Sequence, residues 1–123
     1  MQVNNLPDLV NAAVNGEAFR LVTFSTDPMD ADLTKACVTA AGICNGFEPV
    51  AVNRAIDAIV KHDPSVQFVL ARELSMALYV CDSTLSINRL ISLLRQAKPN
   101  ELAPANFSSP FTFGTALVRA WWD

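Results

Sequence analysis

Residues 70–98, LARELSMALYVCDSTLSINRLISLLRQAK, constrain this chain more than any other stretch. They read as two short helices joined by a turn, and the second carries Arg89, Arg95 and Lys98 without one acidic residue. The first segment admits two foldings. Val66, Val69, Leu70, Leu74, Ala77, Leu78 and Cys81 fit a helix, whereas VQFVL and MALYV each suit a buried strand. Periodicity does not separate such short apolar runs. The second segment reads as a helix capped by Asp82, Ser83 or Thr84, with Ile87, Leu90, Ile91 and Leu94 on its apolar face and Pro99 at its end.

Other segments carry clearer punctuation. Asn5 caps a first helix with Pro7 in its first turn, and Gly16 suits its exit. FRLVTFS, residues 19–25, alternates aromatic and β-branched residues and predicts a strand that Asp27-Pro28 ends. Asp30 or Asp32 opens a second helix with a narrow stripe of small residues (Leu33, Ala36, Cys37, Ala40, Ala41 and Cys44), stopped by Asn45-Gly46. Pro49 opens a third, carrying Val52, Ala55, Ile56, Ile59 and Val60, and His62-Asp63-Pro64 closes it. Residues 99–110 form a loop with three prolines. The tail FTFGTALVRAWWD is too apolar for a free terminus and is expected to dock as a strand or short helix. The expected fold is therefore α+β: one helix-dominated domain over residues 1–123, with a small antiparallel sheet built from FRLVTFS and the C-terminal segment.

Only 17% of the 123 residues are charged and 51% are apolar, which fills a core and argues against disorder. With so few charges, some apolar surface is expected to lie between subunits or against a partner, so a homo-oligomer is expected. Charge is divided unevenly. Residues 1–82 hold five basic and ten acidic side chains, and residues 83–123 hold four and two. Any polyanion would have to bind the C-terminal third.

The polar turn carries a resemblance. Leu74 and Ser75 in a first helix, Leu78 and Val80 flanking a turn, and the opening Asp82-Ser83-Thr84-Leu85-Ser86 resemble the helix-turn-helix of bacterial and phage regulators over residues 74–89. The resemblance implies that Ser83, Thr84, Ser86 and Arg89 face base edges or phosphates and that Arg95 and Lys98 touch phosphates. Tyr79 stands where the motif has its turn glycine, and Asn88 falls at an inward position. A hairpin over the first segment would remove the motif. The tip Trp121-Trp122-Asp123 resembles phage single-stranded-DNA-binding proteins, whose aromatic and acidic ends recruit replication or transcription partners. Phe111, Trp121 and Trp122 are the stacking candidates, with Arg119 beside them. Adjacent on a strand, Trp121 and Trp122 would point to opposite faces.

Enzyme chemistry is thinly represented. The one histidine, His62, reads as favourable charge at a helix C-terminus, and no Gly-x-Ser-x-Gly or phosphate-loop pattern occurs. Asp27, Asp30 and Asp32 read as capping acids rather than cation ligands, and Cys37, Cys44 and Cys81 assemble neither a zinc site nor a disulfide framework. No catalytic residue, metal or cofactor is expected, nor a membrane span or secretory signal. The expected function is a non-enzymatic nucleic-acid-binding regulator, of the phage-encoded transcription or replication accessory type. Its ligand would be DNA, including single strands, and its partner an RNA polymerase or replication protein in the (host) cytoplasm. The rival expectation is a protein–protein adaptor or inhibitor that docks through the apolar C-terminal segment without binding nucleic acid.

Overall fold

A computed structural model of the chain describes residues 24–105 and 116–123. The elements in chain order are β1 (Phe24–Ser25), α1 (Ala31–Ala41), α2 (Pro49–His62), β2 (Gln67–Glu73), β3 (Ser75–Asp82), α3 (Ile87–Leu94), a 3₁₀ turn (Arg95–Ala97), β4 (Glu101–Pro104) and β5 (Val118–Trp121). The fold is α+β, and all strand pairs are antiparallel, in the order β1-β2-β3-β5-β4. Of the strand predicted over residues 19–25, β1 is the described part. The first predicted helix lies outside the described residues, as do Phe111 and Phe113.

Residues 67–82 are a hairpin, with Leu70 opposite Leu78 and Arg72 opposite Met76. A helix there would have pointed these side chains around a cylinder. The hairpin instead sends Phe68, Leu70, Met76, Leu78 and Val80 into the main core and Val69, Ala71, Ala77 and Tyr79 into a second cluster. Both faces are buried, so the strands read as continuous apolar runs rather than as alternation. Leu74 forms the tip with φ at 66°. The helix-turn-helix geometry is therefore absent from residues 74–89: its first helix is β3, and Tyr79 sits in mid-strand, where no positive φ is needed.

The helices cover one face of the sheet. Asp30 Oδ1 accepts from Leu33 N at 2.9 Å, which caps α1. Ala31, Thr34, Cys37, Val38 and Ala41 turn inward, and these small side chains let α1 lie close to α2. There Asn53 Nδ2 donates to Lys35 O and Thr39 Oγ1, and Lys35 pairs with Asp57 at 2.7 Å. α1 ends at Gly42, where φ is 73°, not at Asn45-Gly46. Asn45 and Gly46 instead turn the chain between Cys44 and Phe47, whose backbones pair. Pro49 occupies the first turn of α2, where its missing N–H costs nothing. Val52, Ala55, Ile56 and Ile59 are fully buried, each apolar side chain contributing on the order of 1–3 kcal/mol. Ser86, rather than residues 82–84, caps α3 by accepting from Arg89 N.

The proline-containing segment is not all loop, since residues 101–104 form the edge strand β4. Pro104 is tolerated there because an edge strand leaves one side of its backbone unpaired. β5 lies inside the sheet, between β3 and β4. Trp122 follows it and is fully buried, with its ring edge-on to Phe47 at 5.2 Å and Nε1 donating to Ala97 O at 2.8 Å.

Candidate nucleic-acid interface

The segment from Ser83 to Asn100 contains three cations and no carboxylate. Its first half is tied to the end of α2. Asp63, 3% exposed, accepts from Ser65 N and Oγ on Oδ1 and from Ser83 Oγ and Thr84 N on Oδ2, at 2.8–3.2 Å. The Thr84 amide is the largest influence holding this carboxyl below its ordinary value; desolvation opposes it, and Ser83 and Ser65 add to the lowering. Ser83 Oγ also accepts from Leu85 N, and Ser86 is the helix cap. Ser83 and Ser86, predicted to read bases, are thus engaged by the fold. Thr84 keeps an exposed side chain, and Arg89 is exposed with Nη2 3.3 Å from His62 Nε2.

The second half differs. α3 faces solvent with Asn88, Arg89, Ser92 and Arg95, continued by Gln96 and Lys98. Arg89, Arg95 and Lys98 form no ion pair among the described residues. The cations within this set that do pair are Lys35, with Asp57, and Arg119, with Glu101. The 3₁₀ turn closes through Lys98 N donating to Arg95 O, and Lys98 takes a left-handed backbone with φ 53° and ψ 49°. Glycine is the usual occupant of such a position after a helix. Arg95, Lys98, Pro99, Asn100 and Leu102 line a cavity of about 430 Å³. Lys98 also borders a second one of about 280 Å³ with Arg54, Gln96, Val50 and Glu48. Asn100 and Arg54 were not singled out from the sequence. The available signal was a lysine where a helix-terminating glycine belongs, followed by Pro99-Asn100.

The described part of the C-terminal tail shares no surface with the exposed side of this helix. Arg119 and Trp121 belong to the opposite face of the sheet from α3, where Trp121 packs against the second cluster. Arg119 Nε donates to Tyr79 Oη at 3.1 Å, Nη1 lies 3.5 Å from Glu101, and the guanidinium stands 6.0 Å from the Trp121 ring centroid. Trp122, on the α3 side, is sealed in the core. A base cannot stack on it, and it offers no exposed tip for recruiting a partner. Trp121 and Trp122 do point to opposite sides of the sheet, as their adjacency predicts.

Burial pushes the Cys37 and Cys81 thiols up to about 11, with the Asp82 charge adding at Cys81, which favours the thiol over the nucleophilic thiolate. Arg72, 3% exposed, donates through Nη1 to Cys44 Sγ and through Nη2 to Leu74 O, tying the hairpin tip to the α1–α2 connection. Among the described residues no three His, Cys, Asp or Glu side chains converge as metal ligands, and no helix is long and apolar enough to cross a membrane. Comparison with protein-family models, curated proteins and solved structures gave no match.

Proposed function

We propose that this chain is a non-enzymatic, nucleic-acid-binding regulatory protein whose contact face is the solvent side of α3 with the turn that follows. One observation carries the reading: from Ser83 to Asn100 a rigid helix and turn display Arg89, Arg95 and Lys98 with no carboxylate on the segment and no ion pair to any described residue. A phosphate backbone is a dense line of negative charge, and cations on one short segment that hold no carboxylate bind it without first breaking an ion pair. DNA is the proposed polymer, and a transcription or replication accessory role in the cytoplasm, beside a polymerase or replication protein, is the proposed setting. Thr84 at one end of the face supplies a hydroxyl for polar contact.

The test is fluorescence anisotropy with labelled single- and double-stranded oligonucleotides at low and physiological salt. Binding should weaken with a log–log salt slope of roughly −2 to −3, as expected for about three phosphate contacts. Arg89→Ala combined with Arg95→Ala should abolish most of that slope. Absence of binding at low salt overturns the reading.

A second reading is favoured by the opposite end of the hairpin. Leu74 is 93% and Ile43 79% exposed, and the Asn45–Ser75 and Arg72–Cys44 contacts bring their loops together. Two bare aliphatic side chains on neighbouring loops suit a protein–protein adaptor without nucleic-acid affinity. The apolar C-terminal segment first expected to dock a partner is, in its described part, inside the sheet.

A further inference from the structure

We infer that the cavity between the 3₁₀ turn and β4 is a phosphomonoester site, taking the terminal phosphate of a nucleic-acid strand or of a free mononucleotide. Its lining is Arg95, Lys98, Pro99, Asn100 and Leu102, which is two full positive charges and no carboxylate. Asn100 adds a donor. Its Oδ1 accepts from Asp123 N at 2.9 Å, and this fixes the amide so that Nδ2 remains, without a partner among the described residues. The nearest acidic side chain along the strand, Glu101, alternates to the other side of β4 and pairs there with Arg119. Two cations match a dianionic terminal phosphate, whereas an internal phosphodiester, with one negative charge, leaves one cation uncompensated. The volume of about 430 Å³ exceeds what a phosphate needs, and Leu102 and Pro99 give the remainder an apolar wall for a sugar or base.

The backbone of Lys98 is the second, independent observation. A left-handed conformation costs a side-chain-bearing residue roughly 1–2 kcal/mol, and here a lysine holds it at the rim shared by two cavities. Trp122 fixes the turn from behind through Ala97 O. The residue before Lys98 is thereby anchored to the core, which places the lysine backbone at the rim of the cavity. The site shares its cations with the proposed nucleic-acid face and in that respect rests on that reading.

The experiment is calorimetric and NMR titration of the full chain with adenosine 5′-monophosphate and inorganic phosphate, beside anisotropy with one oligonucleotide carrying either a 5′-phosphate or a 5′-hydroxyl, all at one ionic strength. Saturable monophosphate binding, with at least about tenfold preference for the phosphorylated strand, supports the site, since one charge-assisted contact is worth that factor. Mononucleotide binding without any strand binding also supports it, as a free-nucleotide site, and overturns the nucleic-acid reading instead. Equal binding of both strands, with no saturable mononucleotide binding at about 10 mM, overturns the site and leaves the nucleic-acid reading standing. Lys98→Gly is the diagnostic variant. It should lose about tenfold in mononucleotide affinity while melting higher, because glycine removes both the charge and the backbone strain. Arg95→Gln should lose affinity with an unchanged melting temperature. If either variant binds as the wild type does, the site is overturned.

Discussion

The two halves of the basic segment, residues 83–89 and 95–100, begin from similar chemistry and end differently. In the first, the Ser83 and Ser86 hydroxyls turn to Asp63 and to the first amides of α3, and the Thr84 backbone amide joins them on Asp63, so hydrogen bonds that could have met a ligand hold α2 against α3. In the second, Arg95, Lys98 and Asn100 surround open space, and neither cation forms an ion pair with a described carboxylate. Polar composition therefore does not mark a binding surface. What marks it is polarity left unsatisfied after the fold has taken what it needs.

Substitutions at the two halves should have opposite signatures, and the largest effect should come from their shared support. Trp122→Ala should cost about 3–5 kcal/mol in denaturant titrations, since it removes the Phe47 contact and the bond to Ala97. It should also blunt ligand binding at the turn. Asp63→Ala should cost about 2 kcal/mol in the same assay, without a direct effect on phosphate affinity. Its contribution has a pH signature. Because the folded carboxyl lies below its ordinary 3.8, the stabilisation is complete above that value and lost as the pH falls through the folded value. The gap in urea midpoint between wild type and Asp63→Ala should be full at neutral pH and should close on acidification. Equal gaps at neutral pH and about pH 3 would show that Asp63 acts through packing alone. Ser86→Ala should cost about 1 kcal/mol as a lost cap, read by thermal melting. Lys98→Gly should be the smallest effect and of opposite sign, a gain of up to about 1 kcal/mol. A loss instead would place the Lys98 side chain among the groups that hold the turn.

The helices were legible because their ends are written locally. Asp30 before α1, Pro49 opening α2, and Asp63-Pro64 closing it act on neighbouring backbone groups. The hairpin was not legible because both of its faces are buried, so its alternation is hidden. Its tip also uses Leu74 at φ 66° where glycine or asparagine would have announced a turn. β4 was missed for a related reason: ELAP is short, exposed and proline-ended, and only its pairing with β5 makes it a strand. At the candidate site, charge alone located Arg95 and Lys98. The Ser83 hydroxyl was misread because the group that engages it lies about 20 positions earlier in the chain. Asn100 gains its meaning only from Asp123, brought alongside by β5.

The strand order β3-β5-β4 has a consequence for synthesis. When β4 leaves the ribosome, its partner among the described residues, β5, has not yet been made, and β3 presents an open edge on the side that β5 will fill. During that interval the nascent chain carries exposed backbone donors and acceptors beside an apolar sheet face, the condition that invites edge-to-edge association. The sheet and the hydrogen bond that seats the 3₁₀ turn are completed together, when Val118 to Trp122 insert. A chain cut short before Val118 is thus expected to be a client of chaperones and proteases rather than a weakened version of the folded protein.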